Sequence, residues 1–425
     1  MRDRVKFRVT KIKSEGFHYG YIIVFCCCLI MGVNIGFVMS CAGIFYHPVS
    51  EELGVTVGTF GLYMSFNYLA SILMLSIAGK LMAQFSARIL LTLSSGVLGL
   101  CFVSMSFFNA VWQFYVAGSI IGITLAFLFY LSFPIMISRW FKTKVGFFIG
   151  ICSAASGIGG ILFNPLGAHL ITTFGWRATY AIFGIVILLL VTPIVGMFIR
   201  NYPKDKGLLP YGENEQQQTT ASDEDIEYAH AIRMPVFYCL LVFAFLIVCV
   251  STLNLFIPKY VTELGYTLQH ASFVASAVMI GVTIGKVALG IINDKSNVLG
   301  VATTTVFGII GLVLLLMGNV SVGMVATGGF FFGWAYAGVT VQTPILVRVA
   351  FGNKNYPQIY SSISIAFAIG GALTAGGWGL LADYTTFKFI LSLGVVFLIV
   401  LGIIGFYILT FHLNSRKLSK RENNT

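Results

Sequence analysis

Apolar runs of twenty or more residues recur down nearly the whole chain, too many for a soluble core to hide. About 20 apolar residues in a helix cross a hydrocarbon layer of roughly 30 Å, so each run reads as a membrane-spanning helix. Of the 425 residues 57% are hydrophobic and only 10% charged, against about a quarter charged in an ordinary soluble domain. The first run, from about Tyr19, follows Arg2, Arg4, Lys6, Arg8, Lys11 and Lys13 as a secretory signal would. It continues well past the 7–15 apolar residues of such a signal, without a small-residue cleavage site, and is read as the first span.

Breaks at Gly, Pro, Asn and charge clusters predict spans at 19–45, 57–79, 89–109, 112–138, 145–171 and 177–199, then 234–258, 269–292, 298–317, 320–347, 356–381 and 388–411. Six plus six spans predict an all-α membrane protein of twelve transmembrane helices. Its parts are a bundle at 1–199, a linker at 200–233, and a second bundle with its tail at 234–425. The linker carries Gln216, Gln217, Gln218 and the acidic Asp223, Glu224, Asp225 and Glu227, and reads as a solvated, flexible segment.

Of the 26 Lys and Arg, all but Arg177, Lys259, Lys388 and Lys286 fall on the even-numbered turns, the linker and the two tails. Basic residues are retained on the cytoplasmic side, which places both termini there, in an inner or plasma membrane. The net charge of +11 is then a topology signal with some attraction to anionic lipid, and no nucleic-acid partner is expected.

The second half repeats the first. Gly79-Lys80-Leu81-Met82-Ala83 aligns with Gly290-Ile291-Ile292-Asn293-Asp294 at a shift of 211, and Phe141, Lys144 and Gly160 with Phe351, Lys354 and Gly370 at 210. Parallel repeats about an axis along the membrane normal are a transporter plan.

These features resemble the major facilitator superfamily, whose twelve helices follow this plan with a short signature between helices 2 and 3 and again between 8 and 9. Gly290 to Lys295 is similar to that signature. In the first copy Ala83 stands where the family has Asp, and of the terminal basic pair only Arg88 remains. An Asp there would face the positive N-terminal end of a neighbouring helix and latch one state, as Asp294 can and Ala83 cannot. A narrower resemblance, to the monocarboxylate transporters and the oxalate/formate antiporter group, runs through Arg139-Trp140-Phe141-Lys142-Thr143-Lys144, then Gly146, Gly150, Ser156, Gly157 and Gly159. Gly175-Trp176-Arg177 and His18-Tyr19-Gly20-Tyr21 add to it. Small residues at this spacing let two helices approach closely, whether for packing alone or for a face that also slides. Asp294, Arg88, Arg139, Gly150 and Gly157 are the candidate gating residues.

Lys286 is the one Lys, Arg, Asp or Glu well inside a span, eight residues before Asp294 and so about 12 Å from that turn. Burying it costs at least about 2.5–3.5 kcal/mol on insertion scales. Every acid lies in a tail, a turn or the linker, so a substrate anion is the candidate partner; the alternative is a lysine facing a wet crevice or reaching the interface. In the resembling subgroup an Arg holds this place, which implies that Lys286 is the anion-binding cation. Lys is a point charge rather than a two-pronged fork. Val282 stands where animal monocarboxylate transporters have an Asp, and the helix-1 and helix-11 lysines of the subgroup are missing, which disfavours a dianion such as oxalate.

Asn254, Gln342 and Tyr130 are further candidates for substrate binding, because helices 1, 4, 7 and 10 line the cavity in the resembling family. Asn34, Asn67, Asn164, Trp334 and Tyr336 are other polar or aromatic groups within spans, and all of these serve equally as interhelical contacts. The eight cysteines fall in apolar runs and the histidines do not cluster, so no disulfide framework, metal or cofactor is expected. No nucleophile–base or paired-acid spacing suggests an enzyme. The expectation is a monomeric secondary transporter of a small organic anion, a monocarboxylate above others, working by alternating access in antiport, uniport or proton-linked mode. A carrier of neutral or amphipathic solutes is the alternative, and a membrane sensor or scaffold a remote one.

Overall fold

The computed structural model describes residues 18–422 except 56, 213–225, 267 and 319. The basic residues before His18, Gln216 to Gln218 and the acidic residues 223–225 lie outside the described residues, as does the side chain of Asn164. Among the described residues, eleven helices are long and apolar enough to cross a membrane. In chain order α1 is Gly20–Phe45, α2 Thr59–Gln84, α3 Ala87–Met105 and α4 Val111–Trp140. A continuous helical stretch then starts at Val145, and Gly175 breaks it at φ 80 and ψ 164. That single residue turns the fifth crossing (α5, 145–174) into the sixth (α6, 176–198). The second set is α7 Pro235–Leu255, α8 Phe273–Lys295, α9 Asn297–Leu316 and α10 Val322–Phe351. α11, Tyr356–Tyr384, has 29 residues, long enough for a twelfth crossing, and α12 is Phe387–Thr410.

Both halves are packed by the same contacts. Glycines give up a side chain so that two helix backbones can touch. A Cβ on Gly122 of α4 would fall on the Asn67 carbonyl of α2, and one on Gly333 of α10 would fall on the Val278 carbonyl of α8. Gly118 meets the Tyr63 carbonyl as Gly329 meets that of Val274. Every one of these four pairs of positions is 211 apart. The register holds through α5 and α11 as well, since Gly146 on Gly290 is repeated by Pro357 on Gly79. Gly370 consequently answers Gly159, each lying against a carbonyl of the first helix of its half. The shift of 210 that pairs it with Gly160 is one residue short of the packing register.

The turn before α6 is held from four sides. Arg177 pairs with Glu52 at 3.0 Å, donates to the carbonyls of Ser106 and Phe108 and to Asn109, and covers the ring of Trp176. Trp176 Nε1 donates to the same Glu52 carboxylate. Charged donors on carbonyls at the rim of a bundle contribute more than an isolated surface pair. Arg177→Ala should therefore lower the stability of the purified protein by on the order of 2 kcal/mol, read as an earlier melting transition with substrate binding retained.

The described ends of the linker, residues 200–212 and 226–233, are bonded to the bundles. Tyr211 donates its N–H to the Trp140 carbonyl and accepts that of Lys142, while His18 Nε2 contacts the Leu209 carbonyl at 3.1 Å. Residues 200–212 are thus fastened to the first bundle. On the other side, Ile226 N–H donates to the Phe351 carbonyl, Lys354 pairs with Glu227, and Tyr228 and Ser362 share a hydrogen bond. Each described end of the linker is docked on its own half.

Candidate substrate site and the interface between the halves

The two bundles meet along α5–α8 and α2–α11, and the closest approaches lie at the linker end of the molecule. On α5–α8 the backbones touch reciprocally: a Cβ on Gly146 would strike the Gly290 carbonyl, and one on Gly290 the Gly146 carbonyl. One turn deeper Gly150 lies 2.5 Å, from where its Cβ would stand, to the Lys286 carbonyl, and deeper still Gly157 lies 2.7 Å from Thr283 Oγ1. These two candidate gating glycines both sit on this seam.

Lys286, near the middle of α8, is 7% exposed. Its Nζ donates to the Ser153 carbonyl and to Ser156 Oγ, each at 3.1 Å, both on α5 of the opposite bundle. Ser156 Oγ in turn donates to the same Ser153 carbonyl at 2.8 Å. An ammonium has three protons, and no carboxylate joins this cluster among the described residues. The sequence offered Ser156 only as a small residue of a packing face; the lysine's bond to it was legible only once α5 and α8 were juxtaposed.

Asp294, at the linker end of α8, receives the N–H of Gly146 at 2.7 Å on one oxygen and that of Phe147 at 2.8 Å on the other. It caps the first turn of α5 from the opposite bundle, where a carboxylate meets the positive end of the helix dipole. Lys144, at φ 55, turns the chain into that helix, and Arg348 of α10 lies within electrostatic reach of Asp294. Arg348 also reaches the Phe141 carbonyl at 3.4 Å, a contact across the halves that no sequence motif announced. Asp294→Asn removes the charge and presents an NH₂ to one of the two donors. It should weaken this closure by about 1–2 kcal/mol, raising the population open at the linker end roughly 5- to 30-fold. Spin-label distances between α5 and α8 read that population.

The pseudo-equivalent seam, α2–α11, lacks the carboxylate of the latch. Ala83 takes the place of Asp294, and Pro357, which has no N–H, that of Gly146. Ser361 stands in the Gly150 position and its hydroxyl accepts from the Gly79 N–H at 3.1 Å while donating to the Leu75 carbonyl. The acid of the latch and one of its two donors are thus missing together from one seam.

Arg88 and Arg139 stay within the first bundle. Arg88 Nε donates to the Gly196 carbonyl near the end of α6. Arg139 donates to the Met82 carbonyl at the end of α2 and to Asn201 Oδ1, beneath the ring of Tyr202. They brace helix ends on either side of the α2–α3 turn.

The remaining candidates separate clearly. Gln342 is fully buried and exchanges two hydrogen bonds with Asn293, at 2.9 and 3.2 Å, tying α10 to α8. Asn34 donates its amide N–H to Ser95 Oγ while its buried Oδ1 has no hydrogen-bond partner among the described residues, and Asn67 bonds Met64 and Ser71. Trp334 Nε1 is buried among apolar groups, its ring edge-on to Phe307. Asn254 lies on the tight turn Thr252–Leu255 at the far end of α7, partly exposed. Tyr130 sits in a π-helical stretch of α4, Ala126–Leu131, within electrostatic reach of Tyr68 on α2 and Tyr360 on α11, and Tyr336 of α10 reaches Tyr68. Tyrosines of both bundles therefore gather at the seam, with Tyr130 among them.

Comparison with known proteins gives a consistent result. The profile of the Major Facilitator Superfamily matches residues 27–319. An uncharacterized MFS-type transporter of Escherichia coli, YhjX, is 25% identical over 69% of this chain and 72% of its own. The oxalate:formate antiporter of Oxalobacter formigenes is 22% identical over 87% and 88%. Monocarboxylate transporter 4 of Mus musculus is 26% identical over 42% of this chain and 38% of its own. Among solved structures, the E. coli fucose:proton symporter FucP superposes with a TM-score of 0.69 at 15% identity, covering 92% of this chain and 99% of that one. The proton:xylose symporter XylE gives 0.67 at 13%, covering 93% and 96%.

Proposed function

The chain belongs to the major facilitator superfamily, and from that premise we propose that it carries a small organic anion, a monocarboxylate, by alternating access, with Lys286 as the group that binds the anion. The observation carrying this reading is Lys286 itself: an ammonium 7% exposed, at mid-depth on the seam between the bundles, held by a carbonyl and a hydroxyl with no carboxylate beside it among the described residues. Neutral acceptors satisfy part of its hydrogen-bonding capacity and none of its charge, so an anion entering between the bundles gains the full electrostatic interaction. The names of two relatives, an oxalate:formate antiporter and a monocarboxylate transporter, support the same substrate class. One buried cation suits one carboxylate better than two. Tyr130 and its neighbouring tyrosines supply hydroxyl donors and acceptors at the seam, and Asn254 a polar group on the far side of α7.

The linker end, where the basic turns gather, is cytoplasmic in this reading, as are both termini of a monomer in the inner or plasma membrane. Closure there by Asp294, Gly146 and Gly290 makes this a state shut on the cytoplasmic side. The test is uptake into proteoliposomes of a labelled panel of monocarboxylates, dicarboxylates and neutral sugars. Monocarboxylates are expected to be accepted and sugars refused; transport of sugars with no anion accepted would replace this reading with that of a neutral-solute carrier.

A further inference from the structure

The bonds Lys286 makes are to the wrong half of the molecule for a simple binding residue. Its helix belongs to the second bundle, yet both of its acceptors, the Ser153 carbonyl and Ser156 Oγ, belong to α5 of the first. Any movement that separates α5 from α8 at this depth must break both. The Ser153–Ser156 hydrogen bond fixes the two acceptors relative to each other, so they form a small preorganised cradle that needs no ligand to assemble. Beside it the Gly150 backbone rests on the Lys286 carbonyl and Gly157 on Thr283, so the helices are in contact above and below the ammonium.

We infer that Ser156 and the Ser153 carbonyl hold Lys286 as an internal substitute for the anion, locking the empty carrier across α5–α8, and that the anion releases the lock by taking the ammonium. Ser156 is then a positioning residue that sets the mode of transport. This rests on the reading of Lys286 as the anion-binding group. In the empty carrier, opening the linker end strips the ammonium of both acceptors and leaves an unpaired charge in a medium of low dielectric. With an anion bound, the charge is already neutralised and α5 can slide away. The loaded carrier reorients readily and the empty one slowly, so transport runs as exchange of one anion for another far faster than as net flux. The α2–α11 seam offers no second lock of this kind: Leu75 occupies the position of Lys286 there.

The experiment is efflux of a labelled, transported monocarboxylate from proteoliposomes, with and without the same unlabelled anion outside, for the wild type, Ser156→Ala, Ser156→Thr and Lys286→Ala. The wild type is expected to exchange at least about tenfold faster than it releases anion into empty medium. Ser156→Ala should reduce that ratio several-fold by speeding net efflux, with the KM for exchange changed little, and Ser156→Thr, which keeps the hydroxyl, should restore the wild-type ratio. Wild-type net efflux as fast as exchange overturns the lock without any variant. So does Ser156→Ala with an unaltered ratio, or with exchange and net efflux reduced alike. If Lys286→Ala transports the anion normally, the binding assignment itself fails; if that variant is inactive while Ser156→Ala keeps the wild-type ratio, only the lock fails.

Discussion

Lys286→Ala should reduce anion uptake by roughly two orders of magnitude while leaving the protein folded. Removing one member of a buried, hydrogen-bonded charge pair costs about 2–5 kcal/mol, and every 1.4 kcal/mol is tenfold in affinity. The variant also deletes an ammonium whose insertion is unfavourable by about 2.5–3.5 kcal/mol, so yield and size-exclusion profile should match or exceed those of the wild type. That opposition between stability and activity separates a binding role from a structural one. Lys286→Arg keeps the charge but spreads it over a planar fork. The larger head must fit against the Ser153 carbonyl and Ser156 Oγ that the ammonium contacts, and activity between those of wild type and Lys286→Ala is expected. A Lys286→Ala protein that takes up the anion at the wild-type rate would remove the lysine from the account.

The second large effect is expected at the backbone contact of the seam. Gly146 and Gly290 each lie where a Cβ would overlap the other's carbonyl, and because the obstacle is backbone on both sides no rotamer change relieves it. Gly146→Val should force α5 and α8 apart at the linker end and abolish closure there, with loss of nearly all transport. Spin labels at Lys144 and Lys295, both exposed, in a background without the native cysteines, should report a longer distance than in the parent. An unchanged distance with full transport would mean that the seam does not close during the cycle.

Much of this architecture was legible in the sequence because membrane spans obey a length rule and a charge rule that act residue by residue. α2 and α8 outran their expected ends, to Gln84 and Lys295, since a helix continues into the interface beyond the apolar stretch. The repeat was visible, but its register was settled by packing: Gly159 rather than Gly160 answers Gly370, because in a row of glycines only contact tells which one meets a carbonyl. The linker's composition signalled solvent exposure, and the ends docked anyway, since backbone hydrogen bonds such as that of Tyr211 to Trp140 leave no compositional trace. Lys286 stood out alone by charge. Its partners did not, for a serine on one helix and a lysine 130 residues later on another share nothing in sequence. Gln342 and Asn34 have the same polarity as a binding residue, and the structure shows Gln342 bonded to Asn293 and the Asn34 amide N–H to Ser95.

The most direct test of the central claim is equilibrium binding of a transported monocarboxylate to the purified wild type and to Lys286→Ala, by calorimetry in detergent. The account predicts saturable binding to the wild type and an affinity lowered at least about 30-fold in the variant. Equal affinity in the two proteins would contradict it.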